Sequence, residues 1–138
     1  MVAIVAYREV SAPLSAVWTI VSDVDNEPTY WHGTKSVNNI SKSGNTIERE
    51  VIISFKDSRC RQTVVILEHD KSVHITITDG PLKGTKKVTL SSAGDKTRID
   101  VAWDIKLAGI LGMFTGMVKK HIGEGTDEAL GRIAKAVE

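Results

Sequence analysis

A single cysteine, Cys60, leaves the chain no partner for an intramolecular disulfide and too few thiols for a Cys-rich zinc site. A reducing, cytoplasmic setting is the expectation. Excess charge of either sign is also missing, because 18 Lys and Arg stand against 17 Asp and Glu. No global field therefore draws the chain to nucleic acid or to an anionic membrane, and a small, near-neutral partner is easier to accommodate. Three prolines beside 41% hydrophobic residues exclude a disordered or low-complexity chain. The long uncharged stretch Leu107–Val118 is interrupted by Gly109, Gly112 and Gly116 and falls short of the ~20 apolar residues that span a bilayer. No membrane insertion is expected. The apolar start from Met1 to Tyr7 lacks a basic flank and is cut by Arg8 and Glu9, so it reads as a strand and not as a leader.

Motifs of common chemistry are absent as well. No Gly-rich phosphate loop, Gly-x-Ser-x-Gly elbow, His-Glu-x-x-His pair or dinucleotide fingerprint occurs, and the four histidines show no ligand spacing. Neither a cofactor nor a metal is implied, and no catalytic set can be assigned.

What is present is a pattern of elements within one domain, residues 1–138. Ser11 is placed to cap a short helix with Pro13 in its first turn, and Leu14, Val17, Trp18 and Val21 follow at helical spacing. Pro28 then begins a turn or brief second helix that presents Tyr30, Trp31 and His32. Between Lys35 and Lys106, turn signals at Gly44-Asn45, Asp57-Ser58, Asp70-Lys71, Asp79-Gly80-Pro81 and Gly94-Asp95 separate six strands. Alternation is clean in Val73-Ile75-Ile77 and in Ile99-Val101-Trp103-Ile105, which gives the sheet one wet face. The facing of 38–42 and 60–67 stays open. Leu111, Phe114, Val118, Ile122, Gly125, Ala129, Ile133 and Ala136 step by three or four into one long closing helix. Strands segregated from helices define an α+β fold.

Val10-Ser11-Ala12-Pro13, Val17-Trp18, Asp23-Val24-Asp25 and Tyr30-Trp31 resemble the opening of the START-like superfamily, nearest its polyketide-cyclase and coenzyme-Q-binding branch. Asp79-Gly80-Pro81-Leu82-Lys83-Gly84 and Gly94-Asp95-Lys96-Thr97 before the Trp103 strand resemble the same branch. The resemblance implies a helix-grip: a curved, seven-stranded antiparallel sheet wrapped around the C-terminal helix, with an apolar cavity between them. Its members bind lipids, quinones, polyketides or plant hormones, and some are cyclases. No shared catalytic motif comes with it.

On this frame the cavity wall is expected from Val51, Ile53, Ile75, Val101 and Trp103, with a volume of ~300–1,000 Å³. Arg49 shares parity with Ile47, Val51, Ile53 and Phe55, so its guanidinium either meets a ligand head group or snorkels to the sheet rim. His121 lies one turn beyond Met117 and two beyond Phe114, where it either anchors a ligand or reaches solvent. Tyr30 and Trp31 line the cavity mouth or plug it. Met113 and Met117, among the glycines at 109, 112 and 116, make either an adaptable wall that opens or a close packing contact. Lys83, Lys86 and Lys87 read as a solvated strand surface. The leading reading is the binding or transport of a small hydrophobic ligand such as a lipid, quinone or polyketide. One alternative is a cyclase or dehydratase using Arg49 and His121, and another is a protein-interaction module. The oligomeric state is not readable.

Overall fold

The computed structural model describes residues 2–138, which leaves Met1 of the first strand outside the described residues. Strand β1 (Val2–Val10) lies at one sheet edge. The chain then crosses the inner face as α1 (Leu14–Val21), a 3-10 turn (Val24–Asn26) and α2 (Glu27–Tyr30). It re-enters the sheet at the opposite edge. Strands β2 (Thr34–Ser43), β3 (Thr46–Ile53), β4 (Arg59–Leu67), β5 (Ser72–Asp79), β6 (Leu82–Ala93) and β7 (Lys96–Leu107) form an antiparallel meander, and β1 pairs with β7. A second 3-10 segment (Gly109–Phe114) leads into α3 (Thr115–Val137), which packs against β1 and β7. This is the curved seven-stranded α+β helix-grip expected from the sequence. No helix among the described residues is long and apolar enough to cross a membrane.

Period-two burial makes the inner face. Val64 of β4, Val73, Ile75 and Ile77 of β5, and Ile99, Val101 and Ile105 of β7 are all buried, while His74, Thr76, Asp104 and Lys106 between them keep contact with water. In β4 the open facing resolves: Cys60, Gln62 and Val64 point inward and Arg61 is exposed. In β2, the edge strand beside β3, no residue is buried, and its register slips between Thr34 and Ser36 and between Asn39 and Ser41.

Three boundaries differ from expectation. Pro13, not Ser11, is the N-cap of α1, and it supplies no side-chain hydrogen bond. Ser11 lies in a turn closed by the Ala12 N–H on the Val10 carbonyl, and its own N–H donates to Glu138 Oε2 at 3.0 Å. Strand β3 stops at Ile53, because Lys56 and Asp57 take left-handed backbone in the turn that follows. The buried stripe of α3 is Thr126, Ala129, Leu130, Ile133 and Ala134, which leaves Gly125 and Ala136 exposed. The 3-10 winding of 109–114 delays the start of α3 to Thr115, and the same stripe runs back only as far as the half-buried Ile122 and Val118.

Gly84 marks the tightest strand contact. At φ +138°, a Cβ there would lie 2.1 Å from the Asp104 carbonyl oxygen and 2.8 Å from Ile105 Cα. Neither backbone atom yields without parting β6 from β7. Gly84→Ala is expected to cost about 1–3 kcal/mol, read as a lower urea midpoint with an unchanged slope.

Candidate functional site

The inner face carries two buried cations among the described residues, Arg49 on β3 and Lys86 on β6. Their surroundings differ in kind.

Arg49 is 1% exposed, and each of its three nitrogens is occupied by the protein. Nε donates to Oε1 of Gln62, its cross-strand partner on β4, at 3.0 Å. Nη1 donates to the Val24 carbonyl at 3.1 Å, and Nη2 pairs with the Glu27 carboxylate. One side chain thus ties β3 and β4 to the 3-10 turn and to the first residue of α2. Parity places the guanidinium inside correctly; it does not snorkel to the rim, and its donors are taken by the protein. It is a clamp that fixes α2.

Lys86 corrects the reading of Lys83, Lys86 and Lys87 as one solvated surface. Lys83 and Lys87 are exposed, whereas Lys86 shares the inward parity of Val88 and Leu90 and is 6% exposed. Its Nζ lies 3.1 Å from the ring centroid of Trp31, at the C-cap of α2, and 5.0 Å from that of Trp103, its cross-strand partner on β7. The two indoles meet edge to face at 6.5 Å. No carboxylate among the described residues comes within ion-pair distance of Nζ. Burial pushes the Lys86 ammonium down to about 8; the Glu27 carboxylate opposes this and the Arg49 charge reinforces it.

Trp103 is itself held. Its Nε1–H donates to Thr126 Oγ1 at 3.1 Å, and the Thr126 hydroxyl donates to the Ile122 carbonyl at 2.8 Å. Helix α3 therefore positions one of the two rings that flank Lys86. Arg132 Nη1 donates to the Tyr30 carbonyl at 3.0 Å, which ties the same helix to α2.

Beside this group lies a cavity lined by Ile20, Val21, Glu27, Trp31, Val88 and Ile133, with the exposed Asp23 also on its wall. Its volume is about 20 Å³, room for roughly one water molecule. This enclosed cavity is thus far smaller than the ligand-sized space expected. A larger hollow, about 380 Å³, lies on the outer sheet face among Val5, Tyr7, Lys87 and Arg98.

The expected wall residues separate into three groups. Val51, Ile75 and Val101 are buried on the inner face, and Ile53, Trp103, Tyr30 and Trp31 are half-buried. Phe55, in the turn after β3, is exposed, and so are Met113, Met117 and His121. His121 thus stands in solvent while Arg49 is sealed inside. Between Thr115 and Gly125 helix α3 buries no side chain; only Val118, Ile122 and Gly123 are even half-covered. The glycines there are not close-packed, since a Cβ at Gly116 would meet nothing within 4 Å and one at Gly112 only the Leu107 oxygen at 3.8 Å.

A family model described as polyketide cyclase / dehydrase and lipid transport matches residues 1–138. Among solved structures, a protein from Thermus thermophilus aligns with a TM-score of 0.85 at 16% identity, covering 99% of this chain and 97% of that one. A START superfamily protein from Mycobacterium smegmatis gives 0.80 at 18% identity, with 98% and 96% covered. The Zhui aromatase/cyclase from Streptomyces sp. R1128 gives 0.81 at 9% identity, with 99% and 93% covered. At such identities the likeness is one of fold. No curated protein matches the sequence.

Proposed function

The chain belongs to the polyketide cyclase / dehydrase and lipid transport family, a START-like, hydrophobic-ligand-binding fold, and on that premise we propose that it binds a small hydrophobic molecule between sheet and α3 by opening a closed interior. The observation that carries this reading is the unequal anchoring of α3. Its C-terminal half is fixed by Leu130, Ile133, Ala134 and the Arg132 bond to Tyr30, while the half from Thr115 to Gly125 buries nothing. Displacing that half forfeits little apolar contact, because none of its side chains is buried. Gly112 and Gly116 lower the local helix stability by about 1 kcal/mol each relative to alanine. Exposed Met113, Phe114 and Met117 would then turn from water to ligand.

Native mass spectrometry and hydrogen exchange test the proposal together. A one-to-one complex with a co-purifying or added hydrophobe is expected, with amides 109–125 exchanging fast in the empty protein and slowly in the complex. Strong protection of 109–125 in the empty protein would defeat the opening. The cyclase or dehydratase alternative relies on Arg49 and His121 acting on one carbonyl, and that pair is divided between core and solvent.

A further inference from the structure

We infer that Lys86 is a head-group anchor, and that the ligand is an amphiphile with an anionic oxygen, a carboxylate or an enolate-type oxyanion, on an apolar body. This rests on the interior-binding reading above and specifies its ligand. Three features of the site carry it.

The first is the contrast between the two buried cations. Arg49 spends every nitrogen holding β3, β4 and α2 together. Lys86 holds nothing by hydrogen bond or ion pair among the described residues; its neighbours are two indole rings. Its Nζ keeps a trace of contact with water, since no fully buried side-chain nitrogen lacks a partner among the described residues. An ammonium so largely withdrawn from water with no structural bond to make is still costly, and methionine would fill the same space without charge.

The second is the local charge. Around the site Glu27 supplies one negative charge against Arg49 and Lys86, and Glu27 is committed to Arg49. One positive charge is left over in a desolvated place, where an incoming anion is attracted most strongly. Asp23, the other carboxylate on the cavity wall, is exposed and so is screened by water. At neutral pH Lys86 remains mostly cationic, because burial lowers it only to about 8.

The third is the shape of the surroundings. Val88, the next inward residue of β6, and Trp31 both line the small cavity; Lys86 itself does not, but its ammonium lies against the ring of Trp31 that does. Two indole faces flank the charge and offer a flat apolar surface to the body of the same molecule. Acid head and apolar body are thus met within one side-chain length.

Two matched pairs of probes test the assignment: decanoate with decanol, and 2-naphthoate with 2-naphthalenemethanol. Isothermal titration is run on the full chain and on its Lys86→Met, Lys86→Arg and Lys87→Met variants, the last on the exposed outer face. In the natural chain at least one acid is expected to bind roughly ten- to a hundredfold more tightly than its alcohol, the worth of one charge-assisted hydrogen bond. Lys86→Met should reduce that preference to less than about threefold while still binding the alcohol, Lys86→Arg should keep part of it, and Lys87→Met should keep all of it. Equal affinity for acid and alcohol in the natural chain, or a preference that survives Lys86→Met, overturns the anchor and leaves interior binding standing. Failure of all four probes to bind overturns both.

Discussion

Replacing Arg49 with methionine is expected to lower the unfolding free energy by about 3–5 kcal/mol, a large part of the ~5–15 kcal/mol that holds a typical domain together. The loss comes less from the arginine than from what it leaves behind. Glu27, with 11% of its side chain exposed, would keep a carboxylate facing a low-dielectric interior with its pairing cation gone, and Gln62 and the Val24 carbonyl would lose their donors. Lysine is no substitute, since one point charge cannot reach acceptors on a neighbouring strand and two helical turns at once. The double variant Arg49→Met, Glu27→Gln should recover a substantial share, because it removes the stranded charge as well. Urea unfolding of the natural chain and the three variants reads this directly. A single Arg49→Met that costs under about 1 kcal/mol would show that the clamp is solvated and that α2 is held by other contacts.

Lys86 should behave in the opposite sense. The distance between its ordinary 10.5 and the folded value of about 8 corresponds to about 3 kcal/mol of burial penalty on the charged form. Between those two values the unfolded chain carries a proton that the folded chain has shed. Stability contributed at this site therefore rises with pH through that window, and the penalty is fully present below about 8. Lys86→Met removes the penalty along with the cation–π contacts, which are worth about 1–2 kcal/mol when desolvated. A net gain of about 1–2 kcal/mol at pH 7 is expected, shrinking or reversing at pH 10.5. Urea midpoints at pH 7 and pH 10.5 measure it. A destabilised Lys86→Met at pH 7 would make the ammonium a structural strut between Trp31 and Trp103.

The same two residues show how far the sequence can be read. Arg49 is placed inside by parity alone, because Ile47 and Val51 on either side fix which face it shares. Its three partners are not legible, since Val24 and Glu27 lie over twenty residues away and reach β3 only after the chain has crossed the sheet. Lys86 has a legible signal that charge obscures. Val88 and Leu90 share its parity, and only the flanking Lys83 and Lys87 make the segment look solvated. The strands are readable because five turns punctuate them at residue types that few other conformations favour. The start of α3 is not, because helical spacing continues smoothly through Phe114 and Val118 while the backbone there winds as a 3-10 helix and then stands off the sheet. His121 and Met117 are exposed because they lie off the stripe that runs through Val118, Ile122, Thr126 and Ala129, and Met113 lies in the 3-10 segment before α3. Cavity volume has no signature in residue type, so the small size of this one is out of reach.

The joining of the chain's two ends has a kinetic consequence. Strands β2 to β7 pair with their neighbours in sequence, but β1 waits for β7 to exist, with Val2 set opposite Ile105, and Glu138 reaches back to Ser11 across 127 residues. Contacts of such span are slow to form because the loop between them must close first. The topology therefore predicts that the meander assembles first by local zippering and that first strand and last helix seal late. Loss of that seal opens the same end first when the chain unfolds. If ligand enters over Thr115–Gly125 as proposed above, the seal stays shut, so binding and release do not take the first step toward denaturation.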